Sequence, residues 1–294
     1  LMNKIYKDIT IVTVLYNAKK SAQSFFSNLE NFSIIVVDNG RNEKVLEKIK
    51  DYKNIKIISK NKNIGYGSAV NFAVKKVTTR FFLILNPDLK IDEKSIVNMY
   101  DILNQYSDCA IVAPVTRYSK DFYGAFPERN IKNLTLKNAL KSRNLLLNSE
   151  IESEICVDVA KWALLIKVEE FKNISGFNEK LFIFWEEIDL CRRFRSQKLS
   201  VIVTPKSSVE HKQEKSSDSD FQNFLIKTYY HEYSPLVYFN VQTFSFFYLK
   251  RMMKYLFRGI SYLMILNLKK SLIYFLRLSA SIRYFVNLKF SSTK

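Results

Sequence analysis

Short runs of consecutive apolar residues recur along the first third of the chain, and each run ends at polar residues. The runs Ile9–Val14, Ile34–Val37 and Phe81–Leu85 are rich in β-branched and aromatic residues, so they predict strands buried on both faces of a sheet. Ile55–Ser59 predicts a further strand. The stretches between them predict helices over residues 21–29, 43–52 and 69–77. This alternation of strands and helices predicts an α/β fold with a mostly parallel sheet and helices on both faces.

Three of the predicted strands lead into polar side chains, namely Asn17, Asp38 and Asp88. The carboxyl ends of parallel strands form the edge of an open α/β sheet at which ligands bind, so these side chains are candidates for contacts to a nucleotide. Pro87 lacks an N–H group and therefore ends the fourth strand just before Asp88. Asp38-Asn39-Gly40 and Asn86-Pro87-Asp88 are also common turn sequences, so a purely structural interpretation remains open for both.

A short glycine motif, Gly65-Tyr66-Gly67, precedes the third predicted helix. Bare backbone amides and the helix dipole at this point suit an anionic diphosphate. Alternatively, the small residues only allow close packing at the start of the helix. The motif lacks the third glycine of the dinucleotide-binding fingerprint, which disfavours a nicotinamide dehydrogenase.

The positive charge of the chain is concentrated near its C-terminus. The 294 residues carry a formal net charge of +18, and residues 221–294 contain eleven Lys and Arg against one acid, Glu232. The same segment holds 19 of the 42 aromatic residues. No run in it reaches the roughly 18 apolar residues that a membrane-spanning helix requires. These features predict a negatively charged partner.

The cysteines and the first residues of the chain indicate the compartment. Cys109, Cys156 and Cys191 show no paired spacing, which predicts neither a disulfide framework nor a zinc site and favours a reducing compartment. Residues 1–8 are polar and charged and do not resemble a signal peptide. We therefore expect a cytoplasmic protein.

Helical spacing predicts basic amphipathic helices in the C-terminal segment. Lys250 and Lys254 fall on one side of residues 244–256, and the other side carries Phe244, Phe247, Tyr248, Met252, Tyr255 and Leu256. Residues 268–284 show a similar mixture. This pattern favours binding to an anionic membrane surface. Two alternatives remain: the apolar faces pack on the rest of the protein, or the segment binds RNA. No recognised nucleic-acid motif is present, so a nucleic-acid partner is not expected.

Several motifs, taken in order, resemble glycosyltransferase family 2 and in particular its bacterial rhamnosyltransferase-like branch. The motifs are Thr13–Asn17, Val36–Gly40, Asn63–Gly67 with Asn71, Leu85–Asp88 and Ser175–Arg193. The resemblance covers roughly residues 9–215. It implies a GT-A fold, with a nucleotide-sugar-binding half (1–120) and an acceptor-binding and catalytic half (121–220). The charge and helical pattern predict the helical membrane-associating segment (221–294) that follows.

The reaction that the resemblance implies is inverting transfer of rhamnose or another hexose. The donor would be a UDP- or dTDP-sugar, and the acceptor a lipid-linked glycan of surface polysaccharide biosynthesis. Together with the basic C-terminal segment, this predicts a peripheral protein on the inner face of a bacterial cytoplasmic membrane. The alternative is a non-catalytic nucleotide- or RNA-binding module on a GT-A-like scaffold. The oligomeric state is left open by the sequence.

The resemblance also assigns the site residues. Donor contacts are expected from Thr13, Tyr16, Asn17, Asp38, Asn39, Gly65, Tyr66, Gly67, Asn86 and Arg193. Asp88 is the expected ligand of Mg²⁺ or Mn²⁺. His211 is either a second ligand or a structural histidine. Glu187 is the expected catalytic base, Glu186 an acceptor-orienting carboxylate, and Asp189 the third acid of the cluster. From helical spacing alone, Arg193 either pairs with Asp189 or reaches the diphosphate.

This chain departs from the branch at several positions. Glu186-Glu187 stands where the branch usually has Glu-Asp, and Asn178 replaces an aspartate. The metal motif retains a single carboxylate, Asp88. Trp162 occupies the position of a small residue before Ala163, which predicts a narrower acceptor site.

Overall fold

The computed structural model describes residues 2–18, 26, 29–40, 42–117, 125–127, 153–211, 221–242 and 244–291. The helix expected over residues 21–29 lies largely outside the described residues. Residues 128–152 and 212–220 of the expected acceptor-binding half lie wholly outside them.

The four strands expected in the first part of the chain are present, as are the expected helices that follow the second and third of these strands. The strands are β1 (Ile9–Leu15), β2 (Ser33–Asp38), β3 (Ile55–Ser59) and β4 (Phe81–Leu85). The helices are α1 (Met2–Asp8), α2 (Glu43–Ile49) and α3 (Tyr66–Val74). The helix expected over 43–52 therefore ends about one turn earlier, and the helix expected to reach residue 77 ends at Val74.

The next part of the chain adds further strands and helices. The strands are β5 (Leu89–Ile91), β6 (Cys109–Arg117), β7 (Ala125–Pro127), β8 (Ile155–Ala160), β9 (Ala163–Lys167) and β10 (Ser200–His211). The helices are α4 (Glu93–Gln105), α5 (Val168–Asn173) and α6 (Glu186–Ser196). Asp92 caps α4 by accepting the N–H of Ser95 at 2.7 Å, a common way of satisfying a first-turn donor.

One sheet collects these strands in the order β3-β2-β1-β4-β9-β6-β10-β8-β7, with β5 paired to β10. β1 is parallel to β2 and β4, and β2 is parallel to β3. β9 runs antiparallel to both β4 and β6. The α/β prediction is confirmed. The expected halves 1–120 and 121–220 interleave, because β9 lies between β4 and β6.

The core fills both faces of the sheet. Along β4, Phe81 and Leu83 lie in one buried cluster, while Phe82 and Ile84 lie in the other. All four side chains are at most 2% exposed. Burial of such a side chain contributes on the order of 1.5–3 kcal/mol, so the apolar runs stabilise the sheet from both sides. This double burial is what the unbroken apolar runs of the sequence predict.

The C-terminal segment forms a compact unit of its own with the short segment Lys180–Trp185. We call it the helical unit. Its helices are α7 (Phe221–Tyr238), α8 (Phe246–Met264) and α9 (Leu268–Ser291). Among the described residues, no helix is both long and apolar enough to cross a membrane.

The segment Lys180–Trp185 is held by α7. The rings of Phe182 and Tyr230 stack at 4.6 Å, and the hydroxyl of Ser234 donates to the carbonyl oxygen of Ile183 at 2.6 Å. The ring centroids of Trp185 and Tyr238 lie 5.0 Å apart. Since α6 begins at the next residue, removal of α7 would leave the entry to α6 without these contacts.

A buried ion pair joins the helices of the helical unit. Glu232 of α7 is 4% exposed and accepts two hydrogen bonds from Arg251 of α8, at 2.8 and 2.7 Å. The hydroxyls of Tyr255 and Ser281 donate to the same carboxylate at 2.7 and 3.2 Å. The acid that stands alone among the basic residues of 221–294 is therefore an internal structural group.

Replacement of Glu232 by alanine is expected to lower the free energy of unfolding of the helical unit by about 3–5 kcal/mol, because it leaves the Arg251 guanidinium buried without its counter-ion. Urea unfolding followed by circular dichroism measures the change. The double variant Glu232→Leu/Arg251→Met should recover most of the loss, since neither charge remains. An equal loss in the exposed-site control Lys250→Ala, or none in Glu232→Ala, would contradict this account.

Candidate active site

Polar side chains meet at one edge of the sheet, where β2, β1 and β4 end side by side. The parallel register pairs Leu15 with Asp38, and Val12 with Ile84. The residues after β1 and β4 therefore come out at the same edge as Asp38. This is the arrangement expected from the sequence for Asn17, Asp38 and Asp88.

Asp38 is held by the turn that it begins. Its Oδ1 accepts the N–H of Gly40 at 2.9 Å and the side-chain amide of Asn42 at 2.6 Å. The same Asn42 amide also donates to the carbonyl oxygen of Leu15 at 2.8 Å. Asn42 thus locks the ends of β1 and β2 together, a role that the sequence analysis missed. Asp38 therefore begins a turn, as its sequence indicates, and its contact to a nucleoside remains a prediction.

Asn39 fixes the glycine loop. Its side-chain amide donates to Oδ1 of Asn63 at 2.9 Å, and its Oδ1 accepts the N–H of Ile64 at 3.0 Å. Gly65 follows with φ of +85°, in the region that favours glycine. The buried Asn39 therefore positions the backbone amides at the start of α3, whether or not it also contacts a donor.

Gly67 is required for packing. A Cβ atom there would lie 2.8 Å from Cβ of Phe177, closer than side chains approach one another. Phe177 is in turn clamped by Asn71, which accepts its N–H at 2.8 Å and donates to its carbonyl oxygen at 2.9 Å. The packing interpretation holds for Gly67, and the motif around Phe177 forms the support on which α3 rests.

Trp162 connects the end of β4 to α6. It lies in the turn between β8 and β9 with φ of +73°, an uncommon backbone conformation for a residue other than glycine. Its N–H donates to Oε1 of Glu187 at 2.8 Å, and its carbonyl oxygen accepts the N–H of Asn86 at 3.3 Å. The backbone of one residue therefore joins the Asn-Pro-Asp motif to the expected catalytic base.

Glu186, which is 7% exposed, and the half-buried Glu187 form an acidic pair at the start of α6. Burial, and then the neighbouring Glu187 carboxylate, raises the pKa of Glu186 to about 8. Burial also raises the pKa of Glu187, while Lys161 and the N–H of Trp162 act in the opposite direction. Among the described residues, no hydrogen-bond partner reaches Oε2 of Glu186. Paired acids with raised pKa values in a pocket are typical of acid–base sites.

Tyr66 interacts both with the Asn-Pro-Asp motif and with the acidic pair. Its hydroxyl donates to Oδ1 of Asn86 at 2.9 Å. The pKa of Tyr66 is well above its usual value, first because of burial and then because of the negative charges of Glu187, Glu186 and Asp88. The sheet edge and the acidic pair therefore belong to one site.

Arg193 ties α6 to the loop in front of it. It pairs with Asp189 at 2.8 Å, as the helical spacing allowed, and donates to the carbonyl oxygens of Ile174 and Gly176 at 2.7 and 2.6 Å. These contacts hold the helix that carries Glu186 and Glu187. Roles for Arg193 at a diphosphate and for Asp189 in catalysis remain predictions.

The expected metal ligands lie on neighbouring strands. Asp88 directly precedes β5, and the last residue of β10, His211, is paired in backbone register with Leu89. Among the described residues, no three His, Cys, Asp or Glu side chains come close enough to hold a metal by themselves. A single carboxylate fits Mg²⁺ or Mn²⁺, which typically take further oxygens from substrate phosphates and water.

The remaining expected donor contacts lie on β1 and just after it. Thr13 is 1% exposed, and its hydroxyl has no hydrogen-bond partner among the described residues. Asn17 has φ of +50°, and its N–H donates to the carbonyl oxygen of Gly40 at 3.0 Å. Tyr16 lies against Gly40, with ring atoms 3.9 Å from where a Cβ would be. Contact of these residues with a donor remains a prediction.

Several known glycosyltransferases are similar to this chain in sequence. A hexosyltransferase of low-salt glycan biosynthesis from Haloferax volcanii is 24% identical over 66% of this chain and 64% of its own length. An N-acetylglucosaminyl-diphospho-decaprenol L-rhamnosyltransferase from Mycobacterium tuberculosis is 19% identical over 72% of this chain and 78% of its own. The dTDP-rhamnosyl transferase RfbF of Shigella flexneri is 22% identical over 69% of each chain.

Solved structures agree on the fold. GalNAc-T7 with UDP, GalNAc and Mn²⁺ superposes on 77% of this chain and 50% of its own, with a TM-score of 0.54 and 13% identity. TarS of S. aureus in complex with UDP-GlcNAc superposes on 76% of this chain and 64% of its own, with a TM-score of 0.50 and 15% identity. The model of the family "Glycosyl transferase family 2" matches residues 10–163, more than half of the sequence. The chain therefore belongs to glycosyl transferase family 2.

Proposed function

We propose that this protein is a metal-dependent, inverting glycosyltransferase. It transfers rhamnose or another hexose from a dTDP- or UDP-sugar to a lipid-linked glycan acceptor on the inner face of a bacterial cytoplasmic membrane. The observation that carries the proposal is the link between the Asn-Pro-Asp motif and the acidic pair, in which the Trp162 backbone bonds both Asn86 and Glu187, in a chain of this family. The rhamnosyl- and hexosyltransferases among its relatives support the choice of sugar.

Donor binding is assigned to the edge of the sheet. The nucleoside lies beside Asp38 and Asn17, and the diphosphate faces the amides that Asn39 positions at the start of α3. Asp88, with His211, would hold Mg²⁺ or Mn²⁺, which when bound supplies the positive charge that stabilises the leaving diphosphate. These groups bring the sugar to the side of the site that Trp162 and α6 enclose.

The acceptor is assigned to the acidic pair. Glu187 takes the proton from the attacking hydroxyl, and the Trp162 N–H holds the receiving carboxylate in place at 2.8 Å. Glu186, whose raised pKa keeps it largely protonated at neutral pH, donates a hydrogen bond that orients the acceptor. The bulk of Trp162, where the branch has a small residue, favours a slender acceptor.

The test is a donor screen by thermal shift with the full chain. UDP- and dTDP-sugars with Mn²⁺ should raise the melting temperature, and chelation of the metal should abolish the rise. The donor that binds best should then release its nucleoside diphosphate when a lipid-linked acceptor is added. Binding of nucleotides without turnover on any acceptor would favour the non-catalytic module instead.

A further inference from the structure

The surface of α8 that faces away from the helical unit is apolar. Phe246, Met253, Phe257 and Met264 fall within about 40° of one another around the helix axis, at 100° per residue. All four are exposed, Phe257 by 62% and Met264 by 79%. The exposed Leu249 and Ile260 widen the surface on one side. We call these six residues the apolar stripe, and it extends for roughly 27 Å along the helix.

The apolar stripe is not the face expected from the sequence. Of the apolar residues that helical spacing places on the side of residues 244–256 away from Lys250 and Lys254, Tyr255 is buried and Tyr248, Met252 and Leu256 are half-buried. They face the interior of the helical unit, where Tyr248 contacts Phe285 of α9 at 5.3 Å. The packing alternative therefore applies to these four residues, because α8 is apolar on two sides and only one of them is packed.

The turn after α8 continues the apolar surface. Ile265, Leu266 and Leu268 are all exposed, Leu266 by 83%. Leu266 has φ of +58°, as the chain reverses between α8 and α9. Large apolar side chains at an exposed turn are costly to leave in water, so this position indicates contact with a non-aqueous phase or a partner.

Basic residues flank the apolar stripe. Lys250, Lys254 and Arg258 lie about 40–120° around the helix from Phe246 and form a row along one side of the stripe. All three are exposed, as are Lys269 and Lys270 after the turn. The one acid of residues 221–294, Glu232, is buried against Arg251. This surface thus presents apolar and positive groups and no negative ones.

We propose that the apolar stripe and the turn 265–268 form a docking surface for an anionic lipid bilayer, with α8 lying in the plane of the headgroups. An apolar face bordered by bases is what an interfacial helix requires. A second copy of this chain fits less well, since pairing the stripes would bring the basic rows together without acids to neutralise them. The proposal extends the proposed function, because a lipid-linked acceptor is confined to such a plane, but its evidence is the surface itself.

The test is co-flotation of the full chain with vesicles of phosphatidylcholine alone or mixed with phosphatidylglycerol. The variant Met253→Ser/Phe257→Ser/Met264→Ser should bind mixed vesicles at least about tenfold more weakly, since it loses the inserted apolar area. The matched control Phe221→Ser/Ile282→Ser/Val286→Ser removes the same number of exposed apolar side chains from α7 and α9. It should bind like the wild type.

Charge is tested separately. We expect the variant Lys250→Gln/Lys254→Gln/Arg258→Gln to bind mixed vesicles on the order of a hundredfold more weakly, about fivefold for each base removed. Its affinity for neutral vesicles should change little. Wild-type binding should weaken at high salt without vanishing, because salt does not screen the apolar contribution.

The proposal is overturned if the stripe variant binds as the wild type does, or if the control loses as much. It is also overturned if the wild type ignores both kinds of vesicle. If the wild type is a dimer in sedimentation and the stripe variant is a monomer, with no change in vesicle binding, the surface would be assigned to a second copy.

Donor-induced thermal shifts are measured on the same variants. Their absence in a protein that binds vesicles would contradict the proposed function and leave the docking surface intact.

Discussion

Replacing Glu187 by glutamine is expected to lower kcat by roughly 10²–10⁴, the range typical of the loss of a general base. The amide cannot take the acceptor proton, although it can still accept the N–H of Trp162 that holds Glu187 at 2.8 Å. Donor binding should change little, because the donor is assigned to the sheet edge. Steady-state kinetics of transfer, with donor affinity measured by calorimetry, separates the two effects.

The pH dependence of kcat provides a second test of Glu187 as the base. Glu187 must be ionised to take a proton, and burial raises its pKa above that of an ordinary glutamate. We therefore expect the acid limb of the wild-type profile to lie above the usual glutamate range. The limb should be absent from the residual activity of Glu187→Gln. A profile that Glu187→Gln leaves unchanged would contradict the assignment.

Glu186→Gln is the matched comparison. The glutamine can still donate a hydrogen bond to the acceptor, as the protonated Glu186 does, so the loss in kcat should be much smaller than for Glu187→Gln. If Glu186→Gln is the inactive variant and Glu187→Gln is mild, the roles of the two carboxylates must be exchanged.

The stability of the same variant checks that Glu186 is buried as a neutral acid. The folded pKa of about 8 lies above the ordinary value of 4.5, so the folded state holds a proton that the unfolded state releases between these values. The wild type therefore loses stability as pH rises from about 4.5 to about 8. Glu186→Gln should not lose it. In urea unfolding of the metal-free protein, the advantage of the variant should grow between pH 5 and pH 9.

Replacing Asp88 by alanine is expected to abolish metal-dependent donor binding and transfer. Asp88 is the single carboxylate of the Asn-Pro-Asp motif, at the edge where β4 ends. Loss of a partner in the outer shell of a metal site typically costs 10- to 100-fold in affinity, so loss of this direct ligand should cost on the order of a hundredfold or more. Calorimetric titration of donor with and without Mn²⁺ measures it.

Asp101→Ala serves as the control, because it removes an exposed carboxylate from α4, which precedes β6 of the same sheet. It should bind donor like the wild type. Asp38→Ala should weaken binding of the nucleoside with or without metal. Should Asp88→Ala keep nearly full activity that still depends on metal, the ligand assignment fails.

The strands near the start of the chain could be predicted because each is defined by its own residues. The runs at residues 9–14, 34–37, 55–59 and 81–85 lie within β1 to β4 or coincide with them. The unbroken apolar runs of β1, β2 and β4 have few alternatives to burial on both faces of a sheet, whereas β3, which contains Lys56, is half-buried or exposed. The antiparallel position of β9 between β4 and β6 could not be predicted from a local pattern, because it depends on pairing between segments that are distant in sequence.

Local sequence patterns predicted which residues lie at the candidate site but not the contacts between them. The strand-end carboxylates and the acidic pair were identified by position and by resemblance. The contacts that organise them were not. Asn42, which joins β1 to β2, and the Trp162 backbone, which joins Asn86 to Glu187, act across long sequence separations. An asparagine shortly after a turn and a tryptophan before a strand have no pattern that distinguishes these roles.

The most direct test of the account is the anomeric configuration of the product, determined by NMR with the donor that the thermal-shift screen selects. A single base, Glu187, that deprotonates the acceptor as it attacks from the face opposite the diphosphate predicts a linkage of configuration opposite to that of the donor. A product that retains the donor configuration would contradict the account, because retention by double displacement requires a nucleophile on the other face of the sugar.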